Sequence, residues 1–187
     1  MEMCHHLPNT NVDDVTNALK LATKRITSEK YLHAGMGDGG GCHPRDNIAL
    51  SWLAKKMNLS TDWFENIMMQ REKQSIWLRD LIIKNLVNKK VYILGKSFKP
   101  ETNIETGSSS ILLINLLKEK KLDLESFDPY IDQEKKDFIM GTYFIGTKHS
   151  DFENFVFPDG SVVIDPFRFI PKKNSKVKYI SLGNNLE

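Results

Sequence analysis

Apolar positions along the first half of the chain recur at helical spacing. Val12, Val15, Leu19, Leu21 and Ala22 fall near a period of about 3.6 residues and predict a helix over 11–30. A second helix is expected over Asn47–Met57, with Pro44 at its start, where a missing N–H does no harm. Asn58-Leu59-Ser60-Thr61-Asp62 is a break rich in N-cap residues. A long helix then runs from Asp62 to Asn88, with Phe64, Ile67, Arg71, Leu78, Leu81 and Ile82 along one stripe. At Lys89 the pattern changes to short β-prone runs: Val91–Leu94, Leu124–Phe127, Thr142–Ile145, Val162–Ile164 and Val177–Leu182. Between them Ser108–Lys121, Ile131–Met140 and Asp151–Phe155 read as helices. Strands alternating with helices predict an α/β protein with a parallel sheet covered on both faces. The expected organisation is a helical region, 1–88, followed by a Rossmann-like region, 89–187.

Composition narrows the function classes. The chain has 187 residues, 40% hydrophobic and 27% charged, as in a soluble globular protein. A net charge of +2 gives no reason to expect nucleic acid or an anionic membrane as partner. No apolar run approaches the roughly 18 residues of a membrane span. Met-Glu-Met-Cys-His-His lacks the apolar stretch of a signal peptide. Two cysteines, Cys4 and Cys42, argue against a disulfide framework and suit a reducing cytoplasm.

The densest candidate chemistry is Gly35-Met36-Gly37-Asp38-Gly39-Gly40-Gly41-Cys42-His43-Pro44-Arg45-Asp46. Five glycines in seven residues leave a backbone free to lie against another surface. Gly35-x-Gly37-x-x-Gly40 matches the dinucleotide fingerprint formally, but it lacks the strand before it and the second strand after it. A loop closing over a polar ligand fits better, with Cys42 near a positive helix end that favours thiolate and Arg45 adding positive charge. Asp46 could serve as a base or orient a water. The bland alternative is a tight turn carrying an inert cysteine. Cys4-His5-His6 with Cys42-His43 offers metal ligands, but adjacent Cys-His pairs give poor tetrahedral geometry, and no metal is expected.

The segment Tyr31–Asp46 resembles the catalytic loop of the UDP-glucose/GDP-mannose dehydrogenase family, which reads G-x-G-F-G-G-S-C-x-P-K-D. Val91–Asn103 resembles that family's strand followed by G-L-A-F-K-P-x-T-D. Ser126-Phe127-Asp128-Pro129-Tyr130 resembles its YDPY strand end, Thr147–Phe152 its T-x-H-x-x-F, and Val162–Asp165 with Arg168 its V-x-D-x-R. The blocks occur in the family's order over residues 11–185. The resemblance implies oxidation of the C6 alcohol of a UDP-sugar to the carboxylate with NAD, through a cysteine thiohemiacetal and thioester. It makes Cys42 the nucleophile and Asp46 a carboxylate near the hydrolytic water. Substrate contacts are implied for Arg25, Tyr31, Leu32, Gly35, Gly39, Gly40, Gly41, Arg45, Phe98, Lys99 and Arg168, with Arg25 offered across a dimer. The family also implies a homodimer, here through the 62–88 helix, roughly 40 Å long at about 1.5 Å per residue.

Departures from the pattern shape what is expected. The family's NAD-binding domain precedes the first block seen here, so the chain is expected to hold the C-terminal half and to be inactive alone. A gene fragment, an engineered piece and a natural truncation are all compatible with that. The arginine of the family's T-D-D-x-R falls at Thr106, its loop phenylalanine at Asp38 and its loop lysine at Arg45, which leaves the sugar nucleotide open among UDP-hexoses, UDP-N-acetylhexosamines and GDP-mannose. The alternatives are a non-catalytic UDP-sugar-binding or dimerising module, and a cysteine hydrolase using His33 or His149 as base.

Overall fold

The computed structural model describes residues 1–24, 28–29, 32–37, 40–134 and 136–186. Among these residues four α-helices come first: α1 (Glu2–His6), α2 (Val12–Lys20), α3 (Cys42–Lys56) and α4 (Trp63–Lys84). The rest alternates strand and crossover: β1 (Lys90–Leu94), α5 (Ser109–Lys118), β2 (Asp123–Phe127), β3 (Thr142–Ile145), a 3₁₀ helix (Ser150–Asn154), β4 (Val162–Asp165) and β5 (Lys178–Ser181). All the pairings in the sheet are parallel, in the order β2-β1-β3-β4-β5.

Local chemistry fixes the helix starts. Asn11, Asp62 and Ser108 each accept a hydrogen bond from an amide of the first turn, which satisfies a donor that has no partner inside the helix. α3 begins at Cys42, five residues before the expected start; Pro44 sits in its first turn, where no amide proton is needed. α2 ends at Lys20 rather than 30. Its last turn tightens, with Leu21 N donating to Ala18 O and Ala22 N to Leu19 O. α4 covers Trp63–Lys84, shorter than the expected 62–88.

The strands alternate their side chains between two cores, as a pleated sheet requires. Val91, Ile93, Phe144 and Ile164 point to a layer filled by Leu78 and Ile82 of α4 and Leu113, Ile114 and Leu117 of α5. Tyr92, Leu94, Tyr143, Ile145 and Val163 point the other way, against Phe152, Phe157, Ile170 and Val177. That second face corrects an expectation, because the helix predicted over Ile131–Met140 does not form among its described residues. The chain there is irregular and pinned by phenols: Ile139 N donates to Tyr92 Oη at 3.3 Å and Tyr143 Oη donates to Ile139 O at 2.6 Å. Phe138 packs edge-on between Tyr92, Phe127 and Phe155. Helices therefore cover one face, and aromatic rings, loops and the 3₁₀ helix cover the other.

Distant segments close the fold. Asn11 bridges to Asn184, Val12 N donates to Gly183 O at 2.8 Å, and Asn185 N donates to Thr10 O at 2.9 Å. Among the described residues no helix is long and apolar enough to cross a membrane. Ile82 is fully buried between α4 and the sheet. Ile82→Ala should cost about 2–5 kcal/mol of unfolding free energy in a denaturant titration; a loss below about 0.5 kcal/mol would contradict the packing described.

Candidate functional site

In an open parallel sheet, ligands bind outside the carboxyl ends of the strands where the order reverses. Here that point lies between β1 and β3, and a cavity of about 550 Å³ opens there. Ser97–Pro100 from the loop after β1, Ser108–Ser110 at the start of α5, and Gly146–Lys148 after β3 form one side. His33–Gly37, Phe167, Arg168 and Asp13 close the other. The N-terminus of α5 adds positive potential to that of Lys99 and Lys148, so the cavity suits an anion.

Of the glycine run, residues 35–37 line this cavity, and residues 40–41 lie against the loops of the sheet. A Cβ on Gly35 would lie 2.8 Å from the Phe167 ring, and one on Gly37, at φ +79°, 2.8 Å from Gln74 Oε1. Gly40 N donates to Gly107 O at 3.1 Å, and Arg71 Nη2 donates to the same carbonyl at 3.3 Å. A Cβ on Gly107 would fall 2.2 Å from the Gly40 carbonyl carbon. Gly107 is thus explained by backbone pressed against backbone, Gly35 and Gly37 by side chains close against them, and Gly37 and Gly40 also by a positive φ.

The cavity brings together some of the expected residues and not others. Gly35, Phe98, Lys99 and Arg168 line it. Gly40 touches the Phe98 ring from outside the lining, and Gly41 faces Thr106. Leu32 is half-buried and away from the lining; its amide donates to Glu29 O. Cys42 is exposed at the first position of α3 and is not part of the cavity wall. Arg45 Nε donates to Asp46 Oδ1 at 2.8 Å, both side chains being exposed. That bond holds the Asp46 carboxyl below its ordinary range, and Asp46 and then Cys42 raise the guanidinium of Arg45. Arg25, Tyr31 and Gly39 lie outside the described residues.

Arg168 spends its whole donor set on the protein. Nε and Nη2 grip Asp13 at 2.7 and 2.8 Å, Nη1 donates to Pro166 O and to Leu182 O, and Nη2 also reaches Ala34 O at 3.2 Å. Five N–H groups meet five acceptors. The guanidinium clamps α2, the Ala34 segment and the ends of β4 and β5, and it offers the cavity no spare donor in this arrangement. The resemblance gave no role to Ser97, Thr147 or Lys148. The position of Ser97 after β1 and of Thr147 after β3 could have marked them, but only once the strand order was known.

Behind the cavity, Asp128 and His149 are fully buried. Burial alone would raise the Asp128 carboxyl. Hydrogen bonds from His149 and from the amides of Lys96, Ser97 and Tyr130 outweigh it and hold the group well below the carboxylate range. His149 cannot serve as a base for Cys42, because both of its ring nitrogens are engaged in this buried cluster.

Residues 1–71 match the central domain of the UDP-glucose/GDP-mannose dehydrogenase family. The chain is 31% identical to the UDP-glucose 6-dehydrogenase of Rattus norvegicus over 131 residues, which is 67% of this chain and 26% of that protein. It is 29% identical over 103 residues to UDP-glucose 6-dehydrogenase TuaD of Bacillus subtilis, 54% of this chain and 22% of that one. The match thus spans about a quarter of these curated relatives. In fold it resembles a UDP-glucose dehydrogenase from Pyrobaculum islandicum, with a TM-score of 0.74 at 23% identity over 92% of this chain and 44% of that one. It also resembles the UDP-N-acetyl-mannosamine dehydrogenase Cap5O of Staphylococcus aureus, with a TM-score of 0.70 at 22% identity over 98% and 44%.

Gly107→Ala puts a methyl group into the Gly40 backbone at a residue whose φ is +76°. It should lower stability by about 1–3 kcal/mol and speed proteolytic cleavage within 33–41. Wild-type resistance of that segment would show that the two loops do not depend on each other.

Proposed function

This chain belongs to the UDP-glucose/GDP-mannose dehydrogenase family, and we propose that it supplies the sugar-nucleotide half of a nucleotide-sugar 6-dehydrogenase, with a central helical region over 1–88 and a UDP-binding region over 89–187. The observation that carries this reading is the cavity at the β1–β3 switch point, with Lys99, Lys148 and the start of α5 around it. Its volume lies within the range of about 300–1,000 Å³ usual for small-molecule sites. A diphosphate would sit against those positive groups, with the sugar directed toward the Gly35–Gly41 run.

Cys42 is the proposed nucleophile. Its Sγ would add to C6 of the aldehyde to give a thiohemiacetal; a thioester, two electrons more oxidised, would form only once a hydride had left C6 for NAD, and its hydrolysis by water would release the thiol. The exposed Asp46, next to Cys42 on α3, is the carboxylate proposed to orient that water. NAD supplies the hydride chemistry in this family, but the described residues do not fit its pyrophosphate. The turn after β1 reads Gly95-Lys96-Ser97-Phe98, and no described strand precedes Gly35. No oxidation step is therefore assigned to residues of this chain.

The position of Cys42 outside the cavity wall favours a second reading, a module that binds the sugar nucleotide without catalysis. A homodimer through α4 and its neighbour α3 is proposed in either case. Trp52, Met57 and Trp63 are each more than 60% exposed there, apolar side chains that a second copy would cover. Sedimentation at micromolar concentration should show a dimer that Trp63→Glu splits; a wild-type monomer would remove this part of the proposal.

Calorimetric titration with UDP and UDP-glucose should show binding that Lys99→Ala weakens roughly tenfold and Cys42→Ser leaves unchanged. Lys99→Ala binding as tightly as wild type, or no binding by wild type, would refute the assignment of the cavity. UDP-glucose that slows alkylation of Cys42 favours the enzyme; alkylation indifferent to the ligand favours the binding module.

A further inference from the structure

Phe98 and Lys99 reach the cavity from a loop with no regular structure of its own, so something must fix its path. Both ends of the loop hang from one buried pair. At its start, Lys96 N and Ser97 N donate to Asp128 Oδ2 at 2.7 and 2.9 Å. At its end, Glu101 N donates to His149 Nδ1 at 3.0 Å, with Glu101 at φ +58°. The two anchors are joined to each other, His149 Nε2 lying 3.1 Å from Asp128 Oδ2. Inside the loop, Ser97 Oγ sits 3.0 Å from His149 Nε2 and donates to Lys99 O at 3.0 Å, while Thr147 Oγ1 donates to Ser97 O at 2.7 Å. Tyr130 stacks on one face of the imidazole at 4.8 Å, and Phe152 meets it edge-on.

Hydrogen-bond direction fixes the state of the ring. A backbone amide can only donate, so Nδ1 accepts and carries no proton; the ring proton is on Nε2, shared by Asp128 and Ser97. Serine, histidine and aspartate here are the residue types of a hydrolytic triad, but the wiring differs. Ser97 and Asp128 share one nitrogen, and the other is spent on the backbone. The ring has no nitrogen left to move a proton, and the cluster can only position.

We propose that His149, seated on Asp128, is a positioning residue for the cavity: it clamps the Lys96–Glu101 loop in the path that presents Lys99 to the diphosphate of a nucleoside-diphosphate ligand. The proposal rests on the reading of the cavity as the sugar-nucleotide site. It goes beyond that reading by assigning the affinity for the diphosphate to a residue that the ligand never touches.

The test combines amide exchange on the unliganded chain with titrations of UDP and of uridine. In His149→Leu the Glu101 amide should exchange at least about tenfold faster, since its acceptor is gone, while β1 and β3 keep wild-type protection. UDP should bind roughly tenfold more weakly, and uridine, which has no phosphate for Lys99, should bind as before. His149→Gln, which restores an amide donor and acceptor, should recover part of the UDP affinity. Unchanged exchange at Glu101 would overturn the clamp. A loosened loop with unchanged UDP affinity, or equal losses for UDP and uridine, would overturn the positioning role. If β1 and β3 also lose protection, Ser97→Ala decides, since it cuts the link to Lys99 O and leaves the ring on Asp128: selective weakening of UDP supports the role, and wild-type affinity overturns it. A wild-type chain with a slow Glu101 amide that binds no UDP would refute the site reading, and the ligand half of this proposal with it, but not the clamp.

Discussion

Two glycines in backbone contact hold the candidate site in place. Gly40 N–H donates to Gly107 O, a Cβ on Gly107 would collide with the Gly40 backbone, and both residues hold a positive φ, +91° and +76°. Arg71 of α4 closes on the same carbonyl. This joint sets where the run before α3 lies relative to the loops of the sheet. Everything proposed for the cavity depends on that placement, because one wall belongs to the run and the other to the loops after β1 and β3.

Most of the strands were legible because each is a short run of β-prone side chains between turn residues, and Val91–Leu94 is buried along its whole length; β2, Asp-Leu-Glu-Ser-Phe, was marked instead by the Asp128-Pro129 turn that closes it. The stretch 131–140 misled because Ile131, Phe138, Ile139 and Met140 are compatible with a helical stripe. The backbone of Ile139 is bonded instead by the hydroxyls of Tyr92 and Tyr143, partners that exist only once the sheet has formed. The early start of α3 went unread because Pro44 marks a first turn without saying which position of that turn it takes. At the site, Phe98 and Lys99 were legible from the block that carries them. Lys148 and Thr147 were not, because their relevance follows from β3 lying beside β1, a fact of strand order.

Arg168 shows how a residue can line a cavity without being available to it. Its donors are consumed by Asp13 and by carbonyls from separate parts of the chain, and its backbone holds φ at +58°. Its place in the resemblance pointed to a ligand contact; its hydrogen bonds describe a strut. Among the described residues, the lysines and arginines left to meet an anion are Lys99 and Lys148, one on each side of the switch point.

The contacts between 9–12 and 183–185 have a temporal side. Asn185 Nδ2 bonds Leu7 O across 178 positions of sequence. Closing so long a loop adds little free-energy cost, since each doubling of length adds only about 0.6 kcal/mol, but it imposes a wait. At synthesis rates of about 5–20 residues per second, α2 leaves the ribosome on the order of ten seconds or more before its partners exist. Until then Asp13 has no Arg168 to grip and Val12 no carbonyl at Gly183 to receive its amide. A segment made before its partners is completed only when they arrive.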